Sequence, residues 1–239
     1  QGGEGGGHTG SVPSSILLPQ VLDAVSVPVI AAGGFSTGRG LASALAAGAE
    51  GIAMGTRFMM TSDSPTPKPT LARYVGVKDV DQVRVTTAVD GMRHRMIDNP
   101  FVHKLEAAGP IGRLWIALRS ALQWKAQTGM TTGHMIRTFF KAIKDDPGAT
   151  SQVIMAANQP ILIQRSMVDG FPDEGIMPSG QVAAAIDSLP SCAELIDAIV
   201  AEAEQCLDRL YGRYGETQSA VDSATDSNGV ATQPAGAPL

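Results

Sequence analysis

No apolar run in these 239 residues approaches the roughly 20 residues that a membrane-spanning helix needs, so no membrane span is expected. Basic residues are not in excess. Lys and Arg number 18 against 23 Asp and Glu, a net charge of −5, which lacks the clustered positive surface that nucleic acid or an anionic membrane calls for. Cysteine is scarce too. Cys192 and Cys206 read as reduced structural thiols of a cytoplasmic protein, and no Cys/His spacing suggests a metal site. Aromatics make up only 5% of the chain, and Trp115, Trp124, Phe139 and Phe140 read as helix-packing residues. The first residues, Gln1-Gly2-Gly3, lack both an initiator Met and a basic segment leading into an apolar one, so no signal peptide is expected. Glycine-rich loops connect elements rather than begin domains, so residues are expected upstream of Gln1. The composition that remains, 44% hydrophobic and 17% charged, is that of a globular protein with a sizeable core.

The chain opens on Gln1-Gly2-Gly3-Glu4-Gly5-Gly6-Gly7-His8-Thr9-Gly10, a loop expected to be mobile unless something rigid stands behind it. A helix is expected over 15–25. Pro28 then opens an apolar run, Val29-Ile30-Ala31-Ala32, that ends at Gly33-Gly34 and reads as a buried parallel strand. An Ala-rich helix over 38–48 ends at Gly48, and Gly51-Ile52-Ala53-Met54 is a second buried strand, ended by Gly55-Thr56. This βα alternation predicts a parallel α/β sheet or barrel. Prolines at 65, 67 and 69 break the pattern, and 83–97 reads as extended with a turn near Asp90-Gly91. Helices are expected over 111–128, 132–145, 151–167, 181–188 and 191–212, the last with Ser191 and Glu194 in a capping box. Three regions follow: 1–75 as part of an α/β barrel, 76–215 as a mostly helical region, and 216–239 as a disordered tail poor in large apolar groups.

Two glycine turns, Gly33-Gly34 and Gly55-Thr56, each follow a strand directly. Their backbone N–H groups could surround a phosphate, since no Cβ blocks approach, or the glycines could serve only as tight βα turns. His8, flanked by glycine, could reach a ligand and move protons near pH 7, or could be an ordinary surface histidine. His94, His103 and His134 read as surface or structural. Arg93 and Arg95 would share one face of an extended segment, as a solvated face or as a site for an anionic group.

Three blocks in this order and spacing, the glycine-rich segment 1–10, PVIAAGGF (28–35) and GIAMGTRF (51–58), resemble the signature blocks of nitronate monooxygenases, whose layout the FMN-dependent enoyl-ACP reductases share. The second half adds VDGMRHR (89–95), QVIMAANQPIL (152–162), VDG (168–170) and SGQVAAAIDSLPSCAELIDAIV (179–200), which are similar to flavin-dependent reductases of bacterial steroid C/D-ring breakdown that act on a CoA thioester. The resemblance implies an FMN enzyme with a TIM (β/α)8 barrel. Strands ending at Gln1, Ala32 and Met54 would be barrel strands six, seven and eight, and the earlier strands would lie upstream. Gln1, Gly6, Gly34, Ala53, Met54, Gly55 and Thr56 match cofactor-contacting positions, and His8 matches the catalytic histidine. The implied activity is FMN-dependent oxidation of nitronates by oxygen. The alternatives are a reductase or dehydrogenase acting on an enoyl- or acyl-CoA, with Arg93, Arg95, Arg113, Arg119 and Lys125 as a rim for the CoA phosphates, and an inactive partial barrel. A small-molecule substrate, no metal and a possible homo-oligomer complete the expectation.

Overall fold

The computed structural model describes residues 1–109, 112 and 159–227, with side chains as far as Arg213. The helices expected over 111–128 (apart from residue 112) and 132–145, and residues 151–158 of the one over 151–167, lie outside the described residues; the remainder of the last is helical.

The βα alternation of the first third is present. Helix α1 (Ser14–Ala24) leads to strand β2 (Ile30–Ala32), helix α2 (Gly38–Ala46), strand β3 (Gly51–Ala53) and the short helix α3 (Thr56–Met59); β1 (Gly7–His8) precedes them. β2 and β3 pair in parallel, with Ile30 opposite Gly51 and Ala32 opposite Ala53. Helix α2 begins where the Thr37 side chain accepts a hydrogen bond from Gly40 N–H and ends in a Schellman turn. There Gly48, at φ +104°, lets its own N–H reach Leu45 O while Ala49 N–H reaches Ala44 O. The face it buries is small: Ala44 packs with Ala31 and Ala49 into a cluster edged by Leu18, Phe35 and Ile52.

One expectation fails here: the strands are not buried throughout, because Ile30 is 56% exposed and Ala31 alone of the run 29–32 is buried. Among the described residues the parallel sheet has only these two strands, so neither has the flanking neighbours that bury a central barrel strand. Gly2 N–H donates to Ala32 O at 2.9 Å, which lays the start of the glycine loop along the end of β2.

After helix α4 (Lys68–Val75) comes an antiparallel sheet. β4 (Val83–Thr86) pairs with β5 (His94–Ile97), and β5 pairs with β1, so the order is β1-β5-β4. Gly91, at φ +87°, makes the expected turn between β4 and β5. Helix α5 (Pro100–Ala107) and helix α6 (Gln159–Met167) pack over this sheet. Met96, Val102, Leu105, Leu162 and Ile176 form one core cluster; Met60, Tyr74, Val83, Ile97 and Met177 form another. Tyr74 is fully buried and its hydroxyl donates to Pro178 O at 2.8 Å, so burial without a charge partner pushes its pKa far up.

Residues 181–185 form a 3₁₀ turn where a helix to 188 is expected. The capping box at 191–194 is complete: Glu194 N–H donates to Ser191 Oγ, and Ser191 N–H donates to Glu194 Oε2 at 2.8 Å. It starts helix α7 (Cys192–Ser227), which runs past the expected end near 212 and makes 216–227 helical rather than tail; 228–239 lie outside the described residues. Leu195, Ile199 and Ala203, four residues apart, are its buried stripe. The helix lies so close to α2 that a Cβ on Gly38 would stand 2.4 Å from Ile199 O. Glu202 accepts from Gly38 N–H at 2.7 Å and pairs with Arg39, placing a carboxylate where the α2 dipole is positive.

Candidate active site

The cleft beside the C-terminal ends of β2 and β3 has a volume of about 620 Å³. All seven residues expected to contact a cofactor line it: Gln1 and Gly6 from the glycine loop, Gly34 after β2, and Ala53, Met54, Gly55 and Thr56 after β3. The structure thus brings together positions from three separate sequence blocks. It adds Phe35, Met59, Pro178 and Val182 as apolar walls, none of which local pattern singles out. Among the described residues no charged side chain lines the cleft, so an anion held by them would meet backbone and hydroxyl donors.

Several of these positions need glycine for defined reasons. Gly33 and Gly34 sit at φ +100° and +79°, where other residues are strained. A Cβ on Gly33 would stand 2.9 Å from Gly2 N, and one on Gly6 would stand 2.5 Å from the carbonyl carbon of Ser179. At Gly55, by contrast, a Cβ would meet nothing within 4 Å. Thr56 Oγ1 accepts from Gly180 N–H at 2.9 Å, which leaves its own proton to donate elsewhere and ties the 179–186 block to the turn after β3.

The glycine loop, expected to need support, receives it from the buried Arg95 and from backbone hydrogen bonds. Arg95 donates to Gly3 O at 2.8 Å, Gln181 N–H to Glu4 O at 3.0 Å, and Gly3 N–H to Val12 O. Glu4 accepts from Ser14 N–H at the start of α1. Arg95 therefore shares no solvated face with Arg93 and belongs to no phosphate rim. Arg93 lies in the turn before β5, outside the strand alternation, and is exposed, while burial draws the Arg95 guanidinium's pKa down. Arg113, Arg119 and Lys125 lie outside the described residues.

His8 does not line the cleft; its neighbour Gly7 does. β1 sets His8 directly opposite His94 on β5, and the two rings stack with centroids 4.0 Å apart. His8 Nε2 lies 2.5 Å from Asp90 Oδ2, and His94 Nδ1 lies 3.8 Å from the same oxygen. The Asp90 side chain is fully buried, and its Oδ1 accepts from Met92 N–H at 2.9 Å. His94 Nε2 contacts the Gln159 amide nitrogen at 2.9 Å, while its Nδ1 has no hydrogen-bond partner among the described residues. His94 was expected at the surface or in a structural role; it is buried and in contact with His8. The contact joins residues 86 positions apart, so no local pattern reveals it. The one sequence sign of Asp90 and His94 is the VDGMRHR block. His103 is the surface residue it was expected to be, paired with Asp98, and His134 lies outside the described residues.

Burial, and to a lesser degree the nearby His8, lowers the His94 pKa from 6.5, against the opposing pull of Asp90. The unfolded chain binds that proton more readily than the folded one. This contribution to stability is therefore complete above about pH 6.5 and is lost as pH falls toward the lower folded-state pKa. Urea midpoints measured between about pH 7 and pH 5 are expected to fall, and His94→Gln to flatten the decline. Parallel slopes in both proteins would assign the acid sensitivity to other groups.

These features define a class: an α/β fold of the TIM-barrel type with a glycine-lined cleft at its strand ends and a titratable cluster alongside. Residues 1–202 match the nitronate monooxygenase family, and the chain belongs to that family. It is 50% identical over 206 residues to "(3aS,4S,5R,7aS)-5-hydroxy-7a-methyl-1-oxo-octahydro-1H-indene-4-carboxyl-CoA dehydrogenase" of Mycobacterium tuberculosis (strain ATCC 25618 / H37Rv), covering 85% of this chain and 58% of the relative. It is 46% identical over 210 residues to the protein of the same description from Rhodococcus jostii (strain RHA1), covering 88% and 59%. Among solved structures it is similar to FabK from Thermotoga maritima, with a TM-score of 0.63 at 26% identity over 89% of this chain and 55% of the other. The chain thus spans just under three-fifths of the length of the curated relatives it matches.

Proposed function

We propose that this chain binds FMN in the glycine-lined cleft and serves an oxidoreductase that dehydrogenates an acyl-CoA thioester, with His8 as the proton acceptor. The observation that carries the reading is the convergence of the glycine loop and the turns after β2 and β3 on one cleft, with His8 one residue from its wall. The residues fit the cofactor. The volume is in the range of small-molecule and cofactor sites, the walls are apolar, and glycine turns with Thr56 offer donors to a phosphate. When bound, a flavin supplies the two-electron acceptor for a hydride. The protein's part is to position the thioester, exclude water and take the proton. A C–H next to a thioester carbonyl is acidic enough for an imidazole to remove, while the hydrogen on the neighbouring carbon leaves with its electron pair. The two relatives at 46% and 50% identity favour a CoA thioester over the nitronate that the family description names.

The full chain reconstituted with FMN and freed of excess cofactor by gel filtration is expected to keep flavin absorption bands. An acyl-CoA added without oxygen should bleach them. A colourless protein would sink the cofactor assignment. Bleaching by a nitronate but by no acyl-CoA would move the substrate to the nitronate class.

A further inference from the structure

The three groups beside the cleft share one carboxylate oxygen. Asp90 Oδ2 is 2.5 Å from His8 Nε2 and 3.8 Å from His94 Nδ1, and the carboxylate is fully buried. Its other oxygen is already taken by Met92 N–H, and Oδ2 is within hydrogen-bond reach of His8 alone of the two rings, with His94 Nδ1 facing it at longer range. An ionised carboxylate only accepts, so the 2.5 Å contact requires His8 to carry its proton on Nε2. The lone pair is then on Nδ1, on the far side of the ring from Asp90. His94 is held from the other end. The Gln159 amide nitrogen can only donate, so His94 Nε2 is the acceptor and the proton lies on Nδ1, on the side of Asp90. The His94 side chain is 1% exposed and that of His8 43%, so only His8 exchanges protons freely with solvent or substrate.

We propose that Asp90 and His94 are positioning residues for His8: Asp90 locks the Nε2–H tautomer and stabilises the imidazolium, and the buried His94 ring fixes the plane of His8. The role as a proton acceptor rests on the reading of His8 given above; the tautomer and the coupling do not. The groups facing His94 are His8 from β1, Asp90 from the β4–β5 turn and the uncharged Gln159 from α6, with Arg93 and Arg95 as its chain neighbours. Two imidazolium rings 4.0 Å apart would repel, and burial together with the nearby His8 holds the His94 pKa down. The expected sequence is simple. His8 Nδ1 takes a proton from substrate, the positive ring stays against Asp90, and His94 remains neutral beneath it.

Nitrogen-15 NMR of the full wild-type chain tests this without activity. Neutral His8 is expected as the Nε2–H tautomer and His94 as the Nδ1–H tautomer. A His8 proton on Nδ1 would overturn the proposal, and so would a His94 proton on Nε2. In Asp90→Ala the preference of His8 for the Nε2–H tautomer is expected to be lost, since the carboxylate oxygen that faces that nitrogen is gone. In His94→Phe, which keeps a stacked ring, the Nε2–H tautomer should persist and KM should change less than kcat. An unchanged His8 tautomer in a folded Asp90→Ala protein would remove Asp90 from the role. His8→Gln that turns over normally while the NMR results hold would instead remove the proton-acceptor reading and leave the coupling intact.

Discussion

Replacing His8 by Gln is expected to lower turnover of the reconstituted protein by roughly 10²–10⁴-fold, the usual worth of a general acid or base. Glutamine can still hydrogen-bond to the buried Asp90 carboxylate, so it removes the titrating group while keeping a partner for Asp90. His8 does not line the cleft, so the flavin bands and FMN affinity should stay as in the wild type. Pre-steady-state bleaching by acyl-CoA reads the chemical step directly. A loss below about tenfold would mean that the proton goes to water or another side chain. Loss of flavin would mean that β1 had shifted and the variant reports on structure instead.

The second large effect is steric. Gly6→Ala puts a methyl group 2.5 Å from the Ser179 carbonyl carbon and 2.7 Å from Gly180 N. These are backbone atoms with no rotamer to change, so the glycine loop and the 178–182 segment must move apart. Overpacking of this kind costs about 1–3 kcal/mol, a fall of several degrees in Tm. Both segments wall the cleft, and Gly180 N–H also holds Thr56. FMN affinity is therefore expected to drop by about tenfold or more, the equivalent of about 1.4 kcal/mol. Gly55→Ala is the control, because its Cβ meets nothing within 4 Å and Tm should hardly change. Equal Tm values for Gly6→Ala and wild type would show that the loop and the 178–182 segment separate freely.

Much of the first 60 residues is legible without coordinates. Glycine after a short apolar run marks a strand end, and the Ala-rich run ending at Gly48 becomes α2 with its Schellman turn. Ser191 and Glu194 mark the start of α7 because a capping box is made within four residues. These signals are local. The errors share a cause. Ile30 reads as buried because it is apolar, yet burial depends on neighbours that lie elsewhere in the chain. Arg95 reads as a surface charge because arginine usually is one; it is buried because Gly3 O, 92 residues away, needs a donor.

The sequence by itself determined the βα units, the glycine turns that leave backbone donors bare, and the resemblance that groups seven residues and His8 into one site. Spacing along the chain suffices there, because a turn or a cap is satisfied within a few residues. Only the tertiary structure decided what stands around His8. Strand pairing lays His94 against it, the β4–β5 turn brings Asp90 under both rings, and α6 brings Gln159 to the far nitrogen. Contacts made across 65 to 86 residues leave no period in a sequence, and it is those contacts that decide what the ring nitrogens of His8 and His94 face.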